Sequence, residues 1–220
     1  MWGWGGNEIG QLGDGTNIAK STPIQIGSDN DWVSVAAGNH SGVALKEDGS
    51  LWGWGWGGML GDGNGGNKNS PVKVGNDNTW ASVTAGNLFN AAIKIDGSLW
   101  TWGLNGSGQL GNGTFEPRWS PDLIGVDRTW RAVSTGSWQH TAALKHDGTL
   151  WAWGSNYSGE LGDGEAWVSS PQFIIQAAGI EAAAAEESTD GGGGSLSIFG
   201  LIIIMLGGWL FPSRRVEAYV

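Results

Sequence analysis

His40, His140 and His146 are the only imidazoles in a chain of 220 residues, and cysteine is absent. Nucleophilic or acid–base catalysis needs a reactive group, a base beside it and a residue that orients the base, or else a metal ion. Three histidines so placed form no such cluster. The lack of cysteine also removes disulfides, thiol chemistry and thiolate metal ligands. His140 is read as a structural hydrogen-bonding residue in preference to a base or ligand, and His146 as a solvated turn residue. No catalytic residue, metal ligand or cofactor is expected.

The carboxylates offer one further kind of chemistry. Asp14, Asp62 and Asp163 recur at matching places in glycine-rich loops, with Asn112 in the fourth. Asp62-Gly63-Asn64 weakly resembles a calcium loop, but Lys73 stands where the bidentate glutamate of such a loop belongs. Asp and Asn also cap turns with their own side chains, and that reading is preferred here. An anion-binding nest of the same glycines lacks the lysine or helix start that would hold a phosphate.

Those loops belong to an internal repeat. Trp-x-Trp-Gly occurs at Trp2–Gly5, Trp52–Gly55, Trp100–Gly103 and Trp151–Gly154, at spacings of 50, 48 and 51. A Gly-x-Leu-Gly-x-Gly loop follows each time, at residues 10–15, 58–63, 108–113 and 159–164. A hydroxyl–proline pair then follows, at Thr22-Pro23, Ser70-Pro71, Ser120-Pro121 and Ser170-Pro171. Within a repeat, Asp48-Gly49, Asp96-Gly97 and Asp147-Gly148 read as hairpin turns. Strands are expected on both sides of each turn, around Trp32–Val35, Trp80–Val83 and Trp130–Val133, and after each proline. Four short strands per ~50 residues make one blade of a β-propeller.

The run from His140 to Gly148, followed by Leu150-Trp151-Ala152-Trp153-Gly154 and Gly159-Glu160-Leu161-Gly162, resembles the repeat of the regulator of chromosome condensation family. The resemblance covers Trp2 to about Ile175. It implies a ring of seven blades, and this chain supplies about three and a half. The fold class expected is therefore all-β, a partial propeller of four-stranded blades over residues 1–175, with a C-terminal transmembrane helix. The first repeat starts at its Trp-x-Trp-Gly strand, so lost N-terminal sequence is expected, with a homodimer of two half-rings as the rival.

After Gln176 the repeats stop. Residues 176–195 read as an Ala/Glu- and Gly-rich linker, 196–215 as a transmembrane segment and 216–220 as a short tail. The apolar run Leu196–Phe211 would span about 24 Å as a helix, marginal against a hydrocarbon core of about 30 Å. The order of Gly191, Gly192, Gly193 and Gly194, hydrophobic segment, then Arg214 and Arg215, resembles the C-terminal Gly-Gly sorting signals of Gram-negative bacteria. That likeness implies processing near the glycines by a rhomboid-type sorting protease, and a single-pass membrane precursor in the bacterial envelope that ends at the cell surface or secreted. A permanent membrane anchor is the alternative.

Eleven basic against 21 acidic residues, a net charge of −10, argue against nucleic acid as a partner. Twelve of the 16 tryptophans sit in repeat register and are assigned to packing between blades. Trp119, Trp138 and Trp167 are expected in loops outside that register, as candidate contacts to a ligand. The function expected is a non-catalytic recognition scaffold for a protein or glycan. The alternatives are an inhibitor of a secreted enzyme, or an enzyme whose catalytic residues lie in a missing N-terminal part.

Overall fold

A computed structural model describes residues 1–163 and 167–176. These hold fourteen strands in four sheets. The first sheet has two strands, β1 (Trp2–Gly5) and β2 (Lys20–Gln25). The second runs β3 (Trp32–Ala37), β4 (Ser41–Lys46), β5 (Leu51–Gly55) and β6 (Lys68–Lys73). The third runs β7 (Trp80–Ala85), β8 (Phe89–Lys94), β9 (Leu99–Gly103) and β10 (Arg118–Leu123). The fourth runs β11 (Trp130–Thr135), β12 (His140–Lys145), β13 (Thr149–Gly154) and β14 (Val168–Gln176). Each full sheet is an antiparallel meander in chain order, which is a propeller blade. The chain is thus a partial all-β propeller. The linker, the membrane helix with Gly191–Gly194, Arg214 and Arg215, and the tail all lie outside the described residues; among those described, no helix is long and apolar enough to cross a membrane.

The first strand of each blade lies innermost, since β3 contacts β7 and β7 contacts β11. The fourth lies outermost and has one free edge. That explains the prolines: Pro71 and Pro121 sit inside β6 and β10, where a missing N–H on the outer edge costs no ladder bond.

Blades cohere through one repeated contact. Trp54, Trp102 and Trp153, the second tryptophans of their motifs, are buried. Their indole N–H groups donate to Gln11 O, Met59 O and Gln109 O of the preceding blade, each at 2.9 Å. The acceptors lie in the Gly-x-Leu-Gly loops, whose leucines Leu12, Leu60 and Leu110 are buried beside them. The fourth residue of that motif must be glycine for two reasons at Gly111: its φ is +73°, and a Cβ there would lie 2.4 Å from Trp153 Nε1.

A second device repeats within each blade. Lys46, Lys94 and Lys145 end the second strand as nearly buried cations, each between two indole rings. Lys46 Nζ lies 4.8 Å from the Trp32 ring and 4.9 Å from that of Trp52. Lys94 stands 4.6 Å from Trp80 and 3.9 Å from Trp100, and Lys145 stands 4.7 Å from Trp130 and 4.0 Å from Trp151. A carboxylate completes each box: Asp29 with Asp31, Asp77, and Asp127. Charge, aromatic quadrupole and carboxylate together let an ammonium sit where water is largely excluded. Asp29 raises the Lys46 pKa above its ordinary value against the opposing effect of burial. The Lys94 ammonium, aided by the Thr79 hydroxyl, lowers Asp77 to about 2.

The Asp-Gly hairpins form as expected, with a division of labour between the two residues. Only the glycine takes positive φ, +76° at Gly49, +75° at Gly97 and +80° at Gly148. The aspartate caps the turn instead, its Oδ1 accepting the backbone N–H of Ser50, Ser98 or Thr149 at 2.9 Å. The hydroxyls of Ser50, Ser98 and Thr149, and then those backbone bonds, hold Asp48, Asp96 and Asp147 below the usual carboxylate range.

Candidate functional site

Antiparallel meanders send their loops to two ends. The Asp-Gly hairpins and the connections between blades, with the lysine boxes, occupy one end. At the other lie the connections from first to second strand and the glycine-rich connections from third to fourth. Backbone bonds tie these two loop sets together: Trp56, Leu104 and Ser155 donate to His40 O, Leu88 O and Gln139 O at 2.9, 2.8 and 2.9 Å.

Most of the glycine-rich loops are pinned from within by an asparagine. Asn105 is buried; its Nδ2 donates to Thr114 O at 2.8 Å and Glu116 O at 3.1 Å, and its Oδ1 accepts from Leu110 N at 3.0 Å. Asn7 does the same for the first loop, reaching Thr16 O, Ile18 O and Leu12 N. Asn156 accepts from Leu161 N and donates to Asp163. The recurring carboxylates are absorbed into this scheme. Burial would raise the Asp14 pKa, but the Thr16 N–H and hydroxyl, the Asn7 amide and Lys20 outweigh it and lower it overall. Asp62 Oδ1 and Asn112 Oδ1 cap their turns by accepting from Asn64 N and Thr114 N. Among the described residues no group of three or more His, Cys, Asp or Glu could hold a metal ion.

His140 opens β12 in the column that holds Ser41 in β4 and Phe89 in β8; the three pair with Gly55, Gly103 and Gly154 of their third strands. Its ring lies against Gly136, where a Cβ would fall 2.3 Å from His140 Cε1. Burial lowers its pKa, and Glu160 opposes that weakly.

The three candidate tryptophans separate. Trp119 is a correction to the loop position expected for it: it lies inside β10, at the place held by Asn69 in β6 and Ser169 in β14. All three pack on the first glycine of the preceding loop, and a Cβ on Gly58 would lie 2.9 Å from the Trp119 ring. Trp138 and Trp167 do lie outside strands, and both belong to the glycine-rich end. Trp138 is 76% exposed, in a connection one residue longer than its counterparts at Gly38–His40 and Gly86–Leu88. Trp167 is 46% exposed and meets Tyr157, itself 76% exposed, edge-on with centroids 5.0 Å apart. Tyr157 is missed by sequence reasoning, which weighed only the tryptophans. Its placement after Asn156 in the third-to-fourth connection was the available signal.

At the same end, a cleft of about 440 Å³ opens over the ends of β3, β7 and β11, lined among others by Asn39, Gly86, Asn87, Thr135, Ser137 and Trp138. Its lining carries no charged side chain. Asn39 Nδ2 donates to Asn87 Oδ1 across the blade boundary at 3.3 Å, and the hydroxyls of Thr84 and Thr135 meet at 3.0 Å.

Comparison with known proteins gives one consistent result. A family model described as Regulator of chromosome condensation (RCC1) repeat matches residues 1–45 and 96–144, and a second of the same description matches 32–59, 80–109 and 130–160. Together they take in more than half of the chain. Human WBSCR16 is similar in structure, with a TM-score of 0.68 and 25% identity over 79% of this chain and 47% of that one. Prp20p from Saccharomyces cerevisiae, in a structure described with its binding properties to Gsp1p and histones, gives a TM-score of 0.67 and 22% identity over 80% of this chain and 46% of that one. This chain thus spans about half the length of either. No curated protein sequence matches it.

Proposed function

Because the chain belongs to the regulator of chromosome condensation repeat family, we propose that it is a non-catalytic recognition scaffold, at the cell surface or secreted, that binds a protein or glycan through the glycine-rich end of its blades. The observation that carries this reading is Trp138. An indole 76% exposed, in a connection one residue longer than blade geometry needs, has no packing role to account for it. Tyr157 and Trp167 add a second aromatic surface at the same end. The net charge of −10 favours partners other than nucleic acid. Export and delivery rest on the likeness of Gly191–Gly194, the apolar run and Arg214-Arg215 to a sorting signal, with a rhomboid-type protease as the processing partner; inhibition of a secreted enzyme is the narrower form of the same binding role.

The test is capture by the full chain of candidate surface proteins and of glycans, compared with a Trp138→Ala/Trp167→Ala variant of unchanged circular dichroism. Loss of the captured partner in the variant supports the reading, and equal capture refutes it. A tagged chain found only in the cytoplasmic fraction would refute the localisation.

Self-association is a second reading with its own observation. Leu51, Leu99, Val74 and Ile124 are buried against the next blade, whereas in the last blade their counterparts Leu150 and Ile174 are only half-buried and the neighbouring Ile175 is 57% exposed. A second copy would cover that face, and a monomer by light scattering at micromolar concentration would refute it.

A further inference from the structure

We propose that the cleft over the ends of β3, β7 and β11 binds a neutral carbohydrate, with Trp138 as its stacking platform and the Asn39–Asn87 pair as its hydroxyl reader. The inference rests on the scaffold reading above and narrows it to one ligand chemistry and one site.

The lining selects that chemistry by what it offers. Trp138 presents a large apolar face to water, and the C–H face of a pyranose covers such a ring without demanding an apolar pocket. Beside it, the bond from Asn39 Nδ2 to Asn87 Oδ1 is the one hydrogen bond either side chain makes among the described residues, which leaves the Asn39 Oδ1 acceptor and the Asn87 Nδ2 donors for a ligand. An acceptor and a donor side by side match two neighbouring hydroxyls, each of which both gives and takes. The Ser137 hydroxyl stands at the corresponding place in the third blade.

Charge and shape exclude the neighbouring possibilities. No cation lines the cleft, so a sialylated or sulfated sugar would find no counter-ion there, and the chain's charge of −10 would repel it. The walls are glycine, alanine and small polar residues, which give no depth for the apolar side chains that anchor a peptide. Glycine also keeps the floor low and fixed. A Cβ at Gly38 would lie 2.8 Å from Gly86 O, and one at Gly86 would lie 2.7 Å from Phe89 Cε1 and 3.0 Å from Thr135 Cβ. Backbone approaches of this closeness leave the cleft little room to rearrange, which lowers the ordering cost of binding.

The experiment presents the full chain, in a detergent without a sugar headgroup, to an array of neutral gluco-, galacto-, manno- and N-acetylglucosamine oligosaccharides beside sialylated and sulfated forms. Calorimetry then follows on the best neutral probe. Binding of a neutral oligosaccharide that falls about tenfold or more in Trp138→Ala and in Asn87→Ala, and survives in Trp167→Ala, is the expected result. Trp138 is so exposed that its loss leaves the fold intact, and Asn87→Asp supplies a second variant in which an introduced charge replaces a deletion. The proposal is overturned if no neutral oligosaccharide binds at millimolar concentration, if Trp138→Ala binds as well as the parent chain, or if acidic sugars bind better. A chain that fails here yet loses a protein partner in the Trp138/Trp167 variant keeps the scaffold reading, while one that captures neither loses both.

Discussion

Replacing Lys94 by methionine isolates what the lysine box contributes. Methionine keeps most of the apolar stem against Trp80 and Trp100 and removes the ammonium that stands 4.6 and 3.9 Å from their ring centres. Each ring contact is worth about 1 kcal/mol for a cation largely screened from water. The bond to Asp77, whose carboxylate is well exposed, adds at most about 1 kcal/mol after solvent screening. Relief of the ammonium's own desolvation offsets part of this, so the expected cost of Lys94→Met is about 2 kcal/mol. That is a large share of the ~5–15 kcal/mol that holds a domain together. Urea unfolding of the full chain, followed by tryptophan fluorescence and by circular dichroism, reads it as a lower midpoint at unchanged slope. A cycle with Asp77→Asn should return a coupling of about 0.5–1 kcal/mol between the two residues. A Lys94→Met chain as stable as its parent would show that the ring contacts only offset desolvation, and the stabilising role given to all three boxes would fall.

Three further outcomes follow from the same geometry. Asp77 titrates at about 2 in the folded chain against 3.8 unfolded, so its contribution is fully present above about pH 4 and is lost as pH falls toward 2; acid titration should show about 1 kcal/mol of that loss missing in Asp77→Asn, and identical acid curves would contradict the assignment. Asn105→Ala removes the acceptor of Leu110 N and the donor to Thr114 O and Glu116 O; it should cost about 2–3 kcal/mol and speed hydrogen exchange over residues 104–117, where unchanged exchange would deny the staple. Gly86→Ala forces a Cβ to 2.7 Å from the Phe89 ring and should cost about 2–3 kcal/mol, whereas Gly27→Ala meets nothing within 4 Å and should cost only its left-handed strain of ~1 kcal/mol; equal costs would refute the steric account.

Much of the fold was legible because a blade is built from local signals. The strand and hairpin pattern and the spacing of close to fifty reappear in the structure. The assignment of all twelve in-register tryptophans to packing between blades holds for Trp54, Trp102 and Trp153, whereas Trp52, Trp100 and Trp151 are half-buried against tryptophans of their own blade and Trp2 is 50% exposed. What stayed hidden depends on partners distant in sequence. Lys46, Lys94 and Lys145 occupy one column, and Asp29, Asp77 and Asp127 stand three residues before Trp32, Trp80 and Trp130, yet only the folded blade brings the two columns together. Trp119 looked irregular because a strand was expected to begin after Pro121. An outermost strand tolerates that proline, so β10 begins earlier and takes Trp119 into register. The membrane segment and the glycine run were legible as sequence, and lie outside the described residues.

Comparing one blade with the next, inside a single chain, separates structural from functional residues without any relative. At the hairpin end the repeats agree: each full blade spends a lysine, two tryptophans and an aspartate on the same box, and the turn aspartate on the same cap. Such agreement is what a fold demands of every copy. At the glycine-rich end the loop cores agree as well, through Leu12, Leu60 and Leu110 and the indole bonds they support. Departures occur at both ends, as Ile95 and Val126, 74% and 89% exposed, show at the hairpin end, but those at the glycine-rich end bring large aromatics: one added residue that carries Trp138, and Tyr157 against Trp167, beside Asn39, Asn87 and Ser137 at the cleft. A residue that the blade does not need, placed where the blade permits variation, is best accounted for by something outside the chain. The exposed aromatics thus point binding to this end, and that assignment would be overturned if replacing the exposed Ile95 and Arg128 of the hairpin end by Ala abolished capture while Trp138→Ala left it intact.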